Sequence, residues 1–289
     1  MDTAIIYGGG SSEQTLGQLH WQDRGIIMDT RFSPKTDLGR GPELGSNHSP
    51  EDLREALKRS LESLKTDKID MWYLHAPDRS TPYETTLREV NRLHREGYFR
   101  RFGISNYMAW EVAQIWEICD RNGWVKPVAY QGIYNALHRG VEPELFPCLR
   151  KYGISFYEYN PLAGGYLTDR YTREQLEVEP GSRFDPNRKQ GQNYRLRYWN
   201  EAYFDALDIL RPVVKKHGIS EAEAALRWIA NHSLLSRDYG DAIIVGASSA
   251  KQLDANLTNL EKGRLPDDVL KAFDDGWARV KGVARTYFH

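Results

Sequence analysis

Short, almost continuously apolar runs alternate with longer amphipathic segments along most of this chain of 289 residues. A run of this kind, a few residues long, is typical of a strand that is buried on both faces in a parallel sheet. The runs span residues 4–7, 25–30, 69–75, 102–105, 128–131, 154–159 and 242–246. Repeated strand–helix units predict an α/β fold with right-handed crossovers, and the length suits a single barrel domain over residues 1–289.

Three of the intervening helices have clear start signals. Ser49 is a predicted N-cap that is followed directly by a proline, and Ser220 stands three residues before a glutamate, as in a capping box. A third helix is predicted to begin near Ser248. Its apolar stripe consists of Leu253, Leu257 and Leu260.

Two segments lack a regular pattern. Residues 170–197 are polar and show no clear periodicity, which predicts a long functional loop. The glycines at 8–10 resemble part of a phosphate loop, but no Gly-Lys-Ser/Thr follows them and the spacing does not fit a dinucleotide fingerprint. We therefore expect a flexible loop that leads into a helix over residues 11–20.

Composition and charge argue against several classes of protein. The net charge of −1 favours neither nucleic acid nor an acidic membrane as partner. The sequence has no apolar run of about 18 residues and no secretory leader pattern. Cys119 and Cys148 lie in apolar, helix-like sequence, which predicts buried free thiols and a cytoplasmic protein. No histidine–carboxylate cluster has metal-ligand spacing, so no metal site is predicted.

Each predicted strand ends in a polar or aromatic residue. In a barrel of parallel strands, catalytic side chains lie at the carboxyl ends of the strands and in the loops that follow. The residues at these ends are Tyr7, Arg31, His75, Ser105, Gln131, Tyr159 and Ser248. One such residue alone would be an ordinary loop residue, but seven in succession predict the mouth of a catalytic barrel.

Several short strings recur in the order found in a known family. They are Asp2-Thr3-Ala4 with Tyr7, YLHAPD at 73–78, GISNY at 103–107, YQG at 130–132, YNPLAGGYLT at 159–168 and G-x-S-S-x-x-Q-L-x-x-N at 246–256. Together they resemble the aldo-keto reductases. AWEVAQI at 109–115 and RYW at 197–199 resemble the aflatoxin-aldehyde reductase branch in particular. The resemblance covers essentially the whole chain and implies a (β/α)8 TIM-type barrel that uses NADP(H).

The resemblance also implies a reaction, the NADPH-dependent reduction of an aldehyde or ketone. Tyr7 would donate the proton to the developing alkoxide, and a cation at position 31 would favour the ionised phenol. Asp2 would hold that cation in place. His75 would orient the carbonyl oxygen of the substrate and stabilise charge on it.

The implied cofactor contacts fall into three groups. The nicotinamide would stack on Tyr159, and its carboxamide would bond to Ser105, Asn106 and Gln131. The loop from Asn160 to Arg170, with Pro161, Leu162, Gly164, Gly165 and Leu167, would wrap the pyrophosphate, and Arg183 is a further predicted contact. A phosphate clamp at the N-terminus of the last predicted helix favours NADP over NAD. Its predicted members are Ser248, Ser249 and Lys251. Gln252 and Asn256 would contact the adenosine side, and Gly246 is a further predicted cofactor contact.

The sequence departs from the family at position 31, where Arg31 stands in place of the family's lysine. Arginine keeps the positive charge but does not give up a proton, so a relay through this position is excluded. We expect slow or narrow reduction, or a changed reaction. One alternative is a non-redox lyase, isomerase or dehydratase in which Arg31 stabilises an oxyanion, and another is a cofactor-binding protein with little turnover.

A second departure concerns the first residues, because this sequence opens one residue before the Asp2-Thr3-Ala4 motif. The resemblance then implies a barrel that lacks its first β/α unit. The sequence is a shortened one, the barrel is gapped, or a partner covers the gap, as in a homo-oligomer that buries exposed strand edges.

Four aromatic residues are predicted to line the mouth of the barrel and to bind the substrate. They are Trp21, Tyr134, Trp199 and Tyr287. Such a lining favours a flat aromatic or polyketide-like carbonyl compound as the small-molecule substrate.

Overall fold

A computed structural model describes residues 1–34, 47–175 and 178–289. These residues form two compact units. The first unit comprises residues 1–131, 144–156 and 288–289, and the second comprises residues 132–143 and 157–287.

The strands in both units are parallel, as the apolar runs predict. They are β1 (Asp29–Phe32), β2 (Ile69–Leu74), β3 (Phe99–Ser105), β4 (Pro127–Ile133), β5 (Ser155–Tyr159) and β6 (Ala242–Ile243). In the first unit β2 lies between β1 and β3, and β3 also pairs with β4. In the second unit β5 pairs with β6. Strand order therefore follows chain order within each unit.

Helices connect these strands in regular alternation through the first unit. The helices are α1 (Ser11–Gln18), α2 (Pro50–Leu64), α3 (Tyr83–Arg95), α4 (Ala109–Asn122), α5 (Leu145–Tyr152), α6 (Lys189–Tyr198), α7 (Glu201–Lys216), α8 (Glu221–Asn231), α9 (Ala250–Leu260) and α10 (Asp267–Val280). The predicted α/β class, with parallel strands and intervening helices, is confirmed. The single domain over residues 1–289 stays a prediction.

Two predicted strand segments near the start are wrong. Residues 4–7 do not form a strand, because the backbone N–H of Tyr7 donates to the carbonyl of Ala4 and closes a turn. Only Asp2 joins a strand partner, through an isolated bridge to Asp29. The run at 25–30 is strand only from Asp29 onward, since a 3-10 turn at Gln22–Arg24 precedes it.

The predicted loop over residues 170–197 is wrong at its C-terminal end, where α6 forms. The buried or half-buried residues of α6 include Gly191, Tyr194 and Tyr198 and do not form an aliphatic stripe. A pattern of leucines at helical spacing therefore does not predict this helix. Two helix starts are confirmed: the Ser49 hydroxyl accepts from the N–H of Asp52 at 3.2 Å, and the Ser220 hydroxyl caps α8 in the same way.

The third predicted helix, α9, has Ser249 as its N-cap. Its apolar stripe does not form a buried face, because Leu253 is 40% exposed and Leu257 is 48% exposed. Both cysteines are free thiols, but only Cys119 is buried, so the prediction of a buried Cys148 is wrong. The buried residues of α5 are Leu145, Phe146 and Leu149, whereas Cys148 is half-buried and its Sγ donates to the carbonyl of Ala109 at 3.2 Å. Within the described ranges, no helix is long and apolar enough to cross a membrane.

Candidate active site

A tight turn at the start of the first unit presents Tyr7. The chain reverses directly after this residue, at Gly8 (φ 61°) and Gly9 (φ 66°), and then enters α1. Two consecutive left-handed residues are readily adopted only by glycine. The ring of Tyr7 is 40% exposed, so its hydroxyl is accessible to a small molecule.

Arg31 lies on β1 and is almost completely buried, at 1% exposure. Its Nε donates to the carbonyl of Thr3 at 2.9 Å, Nη1 donates to Oε1 of Gln131, and Nη2 donates to Oδ1 of Asp2. Nε2 of Gln131 also donates to Oδ1 of Asp2, at 3.0 Å. Asp2, Arg31 and Gln131 thus form a closed group, which we call the Arg31 cluster.

The charge on Arg31 is well supported. Burial lowers the pKa of Arg31, but the Asp2 carboxylate, together with the phenols of Tyr7 and Tyr73, outweighs this effect, and the net direction is upward. A buried guanidinium with an ion-pair partner and additional hydrogen bonds is compatible with folding, whereas an isolated one is not. Position 31 therefore supplies a fixed positive charge.

The four predicted catalytic residues come together in the first unit. The Cζ atom of Arg31 lies 5.9 Å from the centre of the Tyr7 ring. The rings of Tyr7 and His75 meet edge to face, with centroids 6.0 Å apart and an interplanar angle of 81°. His75 follows β2 directly, and its backbone N–H donates to the carbonyl of Phe32 at 2.8 Å. The geometry is that of an exposed phenol beside an imidazole and a buried cation.

Ser105 and Asn106 lie beside His75. Nδ2 of Asn106 donates to the carbonyl of His75 at 2.7 Å and to the hydroxyl of Ser105 at 2.9 Å. Asn106 has a left-handed backbone, with φ at 65°, which turns the chain after β3. Gln131, the third predicted carboxamide partner, has both amide atoms engaged within the Arg31 cluster. Its role toward a nicotinamide stays a prediction.

An acidic residue lies directly behind the Arg31 cluster. Burial raises the pKa of Asp29 to about 6, and the carboxylates of Asp70 and Asp2 add to the rise. Oδ1 of Asp29 accepts the backbone N–H of Met71 at 3.1 Å. Asp29 could not be predicted from the sequence, because a carboxylate at the start of a strand carries no distinctive spacing.

In the second unit, the predicted pyrophosphate loop is fastened to α6 through Tyr194. The Tyr194 hydroxyl donates to Oδ1 of Asn160 at 3.1 Å and accepts from Nη1 of Arg183 at 2.9 Å. The Tyr194 ring packs on Gly164, where a Cβ atom would lie 2.1 Å from a ring carbon. Gly164 also has φ at 71°, so this position requires glycine for both backbone and space. Tyr194 was not predicted from the sequence as part of the site.

The other predicted residues of this loop differ in exposure. Pro161 and Leu167 are buried, Tyr159, Leu162 and Gly165 are half-buried, and Arg170 is exposed. Arg170 forms an ion pair with the exposed Glu179. An exposed pair of this kind leaves the arginine available to exchange partners, because such pairs contribute little free energy.

The N-terminus of α9 faces an open cavity of about 480 Å³, lined by residues 245–250 and Leu253. The side chain of Gln252 accepts from the N–H and hydroxyl of Ser248, at 3.1 and 2.7 Å. Lys251 is exposed, and Asn256 reaches the carbonyl of Gly246 at 3.4 Å. Serine residues and a helix N-terminus around open space, with the exposed Lys251 in the first turn of the helix, suit a phosphate group, so this region fits NADP(H).

The four predicted substrate residues have different surroundings. The indole N–H of Trp21, which is buried, donates to the carbonyl of Leu64 at 2.9 Å. The buried Tyr134 donates its hydroxyl to Glu142 at 2.7 Å, and Tyr287 is 5% exposed. Trp199 is half-buried beside Tyr171. These contacts are ones that packing alone would produce, so a substrate role for these residues stays a prediction.

Comparison with known proteins agrees with this arrangement. The model of the Aldo/keto reductase family matches residues 1–278. An aldo-keto reductase of Pseudocercospora fijiensis is 55% identical over 288 residues, which is 100% of this chain and 96% of that protein. Aldo-keto reductase pigE of Monascus ruber is 48% identical over 100% of this chain and 85% of its own length. The human Aflatoxin B1 aldehyde reductase member 2 is 42% identical over 100% of this chain and 80% of its own length.

The chain therefore belongs to the aldo/keto reductase family, which makes it an oxidoreductase by family, and the predicted resemblance is confirmed. Its parallel strands and alternating helices agree with the (β/α)8 barrel of that family. In the part of the chain that the structure covers, no three His, Cys, Asp or Glu side chains are grouped so as to hold a metal ion.

Proposed function

We propose that the chain is an NADPH-dependent reductase of small aldehydes and ketones, with Tyr7 as the proton donor. The observation that carries the proposal is the meeting of Tyr7, His75 and Arg31 in the first unit. The names of relatives, which include an Aflatoxin B1 aldehyde reductase, support an aldehyde as substrate. When bound, NADPH would supply the reducing equivalent to the carbonyl carbon.

The side chains of the first unit would handle the proton and the charge on oxygen. Tyr7 is accessible and would donate its hydroxyl proton to the carbonyl oxygen as negative charge develops there. His75, edge to face with Tyr7, would orient that oxygen and stabilise its charge through a hydrogen bond.

Arg31 would act on Tyr7 only through the electrostatic field of its positive charge. Three of its nitrogen atoms donate to Thr3, Gln131 and Asp2, and its 1% exposure leaves no path for a direct contact with substrate. Its positive charge would favour the ionised form of the nearby phenol and ease recovery of the proton. The same burial argues against Arg31 as the oxyanion binder of a non-redox enzyme, so the reductase is the better supported function.

Residues of the second unit would hold the cofactor. Tyr159 would stack on the nicotinamide, the glycine-bearing loop fastened by Tyr194 would follow the pyrophosphate, and the α9 N-terminus would take the 2′-phosphate. The two free thiols suit a reducing, cytoplasmic compartment.

The test is a fluorescence titration of the purified chain with NADPH, followed by oxidation of the cofactor with 4-nitrobenzaldehyde or 9,10-phenanthrenequinone. We expect binding and turnover in the wild type. Tyr7→Phe should lower kcat by about 10²- to 10⁴-fold, the range typical of a general acid, with little change in NADPH affinity.

Tyr239→Phe is a matched control, because Tyr239 is an exposed tyrosine, 53% accessible, in a 3-10 turn of the second unit. It should leave kcat unchanged. A folded wild-type protein that does not bind NADPH at near-millimolar concentration would contradict the proposal. Turnover that survives Tyr7→Phe would remove Tyr7 from the mechanism.

A further inference from the structure

The predicted pyrophosphate loop, residues 160–170, leads directly into Tyr171, and a helix of the same unit holds that residue. Nη2 of Arg211, on α7, donates to the backbone carbonyl of Tyr171. The Tyr171 ring is 5% exposed and packs on Phe184 and Trp199, with ring centroids 4.9 and 5.3 Å apart. Both the backbone and the side chain at the end of the loop are therefore fixed, and Arg211 supplies the backbone contact.

A buried carboxylate holds the Arg211 guanidinium in place for this contact. Nε of Arg211 donates to Oε1 of Glu221 at 2.6 Å, and Glu221 is the first residue of α8 and is buried. A carboxylate that is withdrawn from water needs a cation beside it, so Glu221 restrains the guanidinium more strictly than a surface acid would. The pair joins α7, α8 and the end of the loop.

A second arginine ties the next residues of the chain to α7, but it does so at the surface. Arg173 donates to Glu201, Asp205 and Asp208, whose spacing places them on one face of α7. These carboxylates are exposed or half-buried, and ion pairs of this kind contribute little free energy. The buried pair of Arg211 and Glu221 is therefore the contact that should decide whether the end of the loop stays in place.

The groups that face Glu221 make its charge depend on pH near neutrality. They are the guanidinium of Arg211, the carboxylate of Asp169 and the phenol of Tyr166. Burial raises the pKa of Glu221 to about 7 although Arg211 opposes the rise, and Asp169 adds to it. Oε2 of Glu221 is buried and has no hydrogen-bond partner in the described part of the chain. Below about pH 7, Glu221 takes up a proton and no longer balances the charge of Arg211.

We propose that Arg211 and Glu221 form a positioning pair, which holds the end of the pyrophosphate loop at Tyr171 in the conformation that binds NADPH. The inference rests on the proposed function, since that function assigns the loop to the cofactor. Arg211 acts through the Tyr171 carbonyl, and Glu221 acts through Arg211. A loop that is already held in its bound conformation binds more tightly, because less conformational entropy is lost on binding. The affinity for NADPH should therefore fall as Glu221 becomes protonated.

The first experiment needs no cofactor. The peptide bond between Arg170 and Tyr171 is a trypsin site, and it is protected while Tyr171 is held, because a protease cuts only a segment that has opened. Limited digestion of the full chain, followed by mass spectrometry, measures the rate of cleavage after Arg170. At about pH 8.5, Arg211→Gln and Glu221→Gln should each be cleaved several-fold faster than the wild type. At about pH 6, the wild type and Glu221→Gln should be cleaved at nearly the same rate, because the wild-type side chain is then uncharged as well.

Lys215→Gln and Glu51→Gln are the matched controls. Lys215 is an exposed cation one turn further along α7, and Glu51 is an exposed acid in the first turn of α2. Neither variant should change the rate of cleavage after Arg170. Circular dichroism shows whether Arg211→Gln is folded. If it is not, Arg211→Lys replaces it, since lysine keeps the charge but lacks the planar fork and should give an intermediate rate.

Equal rates of cleavage after Arg170 in the wild type and in the folded variants, at about pH 8.5, would overturn the proposal. Faster cleavage of both variants, with a ratio to the wild-type rate that falls toward 1 for Glu221→Gln as the pH is lowered, would support it. The ratio removes the pH dependence of trypsin itself. A general loss of stability would instead speed cleavage at sites throughout the chain and would do so at every pH.

The second experiment connects the loop to the cofactor. Fluorescence titration should give a Kd for NADPH about 10-fold higher in Arg211→Gln than in the wild type, as expected when a charge-assisted hydrogen bond is lost. The value of kcat at saturating NADPH should stay nearly unchanged, because a change in binding alone does not alter the chemical step. An unchanged Kd in the folded variant would overturn the proposal.

The pH dependence of NADPH binding separates positioning from a merely structural role. Glu221→Gln should raise the Kd at about pH 8 and approach the wild-type Kd at about pH 6. The comparison uses the ratio of the two Kd values, because the 2′-phosphate of the cofactor also titrates near pH 6. A ratio that does not vary with pH would overturn the role of Glu221.

The two proposals fail separately. If the wild type does not bind NADPH, the reductase proposal fails, and the trypsin measurement still decides whether Arg211 and Glu221 hold the end of the loop. If NADPH binding and turnover are normal and neither depends on Arg211, only the present inference fails.

Discussion

The buried Arg31 and the half-buried Arg197 differ in the partners of their guanidinium groups. Arg31 donates to a carboxylate, an amide and a backbone carbonyl, and all of these partners belong to the first unit. Arg197, in the second unit, lies among phenols and has a buried Nε without a partner. Among the described residues, Arg31 has a carboxylate partner and Arg197 has none.

The difference separates two uses of a positive charge. A guanidinium with its own carboxylate is held in one geometry and can only influence a neighbour through its field, which suits a group that tunes a proton donor. A guanidinium that lies among phenols instead is held by packing and cation–π contacts, which fix its geometry less strictly. Variants that remove the ion pair of Arg31, or that change the surroundings of Tyr194 and Arg197, test this difference.

The largest effect is expected for Asp2→Ala. This change leaves Arg31 with a buried positive charge and no counterion, which should lower the free energy of unfolding by about 3 kcal/mol or more. Urea denaturation measures the difference. Asp23→Ala is the control, since Asp23 is an exposed carboxylate in the 3-10 turn before β1. A loss below about 0.5 kcal/mol for Asp2→Ala would show that Arg31 does not depend on this pair.

Asp29→Asn should stabilise the protein at neutral pH. The folded-state pKa of Asp29 is raised to about 6 from an ordinary value near 4, so the folded form binds this proton more tightly than the unfolded form. The protonated carboxyl of Asp29 therefore adds to the free energy of unfolding below about pH 4. This contribution is lost as the pH rises to about 6, and it does not change further above that pH. Removing the carboxylate should therefore recover up to about 3 kcal/mol at pH 7.

The measurement for Asp29→Asn is Tm as a function of pH from 4 to 7. The Asn side chain keeps an oxygen that can accept the N–H of Met71, so the packing should persist. We expect the variant and the wild type to agree near pH 4 and to diverge as the pH approaches 7. Parallel curves over the whole range would show that Asp29 does not titrate abnormally.

Gly164→Ala tests the loop that is fastened to α6. The residue has positive φ, and an added Cβ would meet the Tyr194 ring, so we expect a loss of about 2 kcal/mol together with weaker NADPH binding. Gly153→Ala is the matched control, because Gly153 has φ at 65° but nothing lies within 4 Å of a built Cβ. It should lose only about 1 kcal/mol. Equal losses would mean that the contact with Tyr194 does not matter.

Much of the fold could be predicted because the signals are local and repeated. Apolar runs predict β2 and β5 well, and Ser49 and Ser220 mark their helices through ordinary capping. The errors arise where one interaction overrides the pattern. Residues 4–7 are apolar enough for a strand, but the turn at Tyr7 and the glycines after it form a 3-10 segment instead.

The candidate site could be predicted in part. The strings that carry the family resemblance include Tyr7 and His75, and the structure brings both together with Arg31. The engagement of Gln131 with Arg31 could not be predicted, because it depends on two strands that are far apart in the chain. Arg197 begins the string RYW at 197–199, but the sequence predicts no role for it. That it lacks a counterion among the described residues is visible only when its surroundings are known.

The smallest effect is expected for Arg183→Gln, which removes the exposed one of the two cations beside the Tyr194 ring. Arg183 is exposed and donates to the Tyr194 hydroxyl, so water and salt already screen its charge. Its loss should weaken NADPH binding by about 5-fold at most, and the effect should shrink further between 0.1 and 1 M salt, where the screening length falls from about 10 to 3 Å. Titration of wild type and variant at both salt concentrations provides the measurement. A larger loss that persists in high salt would mean that Arg183 becomes buried against a phosphate of the bound cofactor.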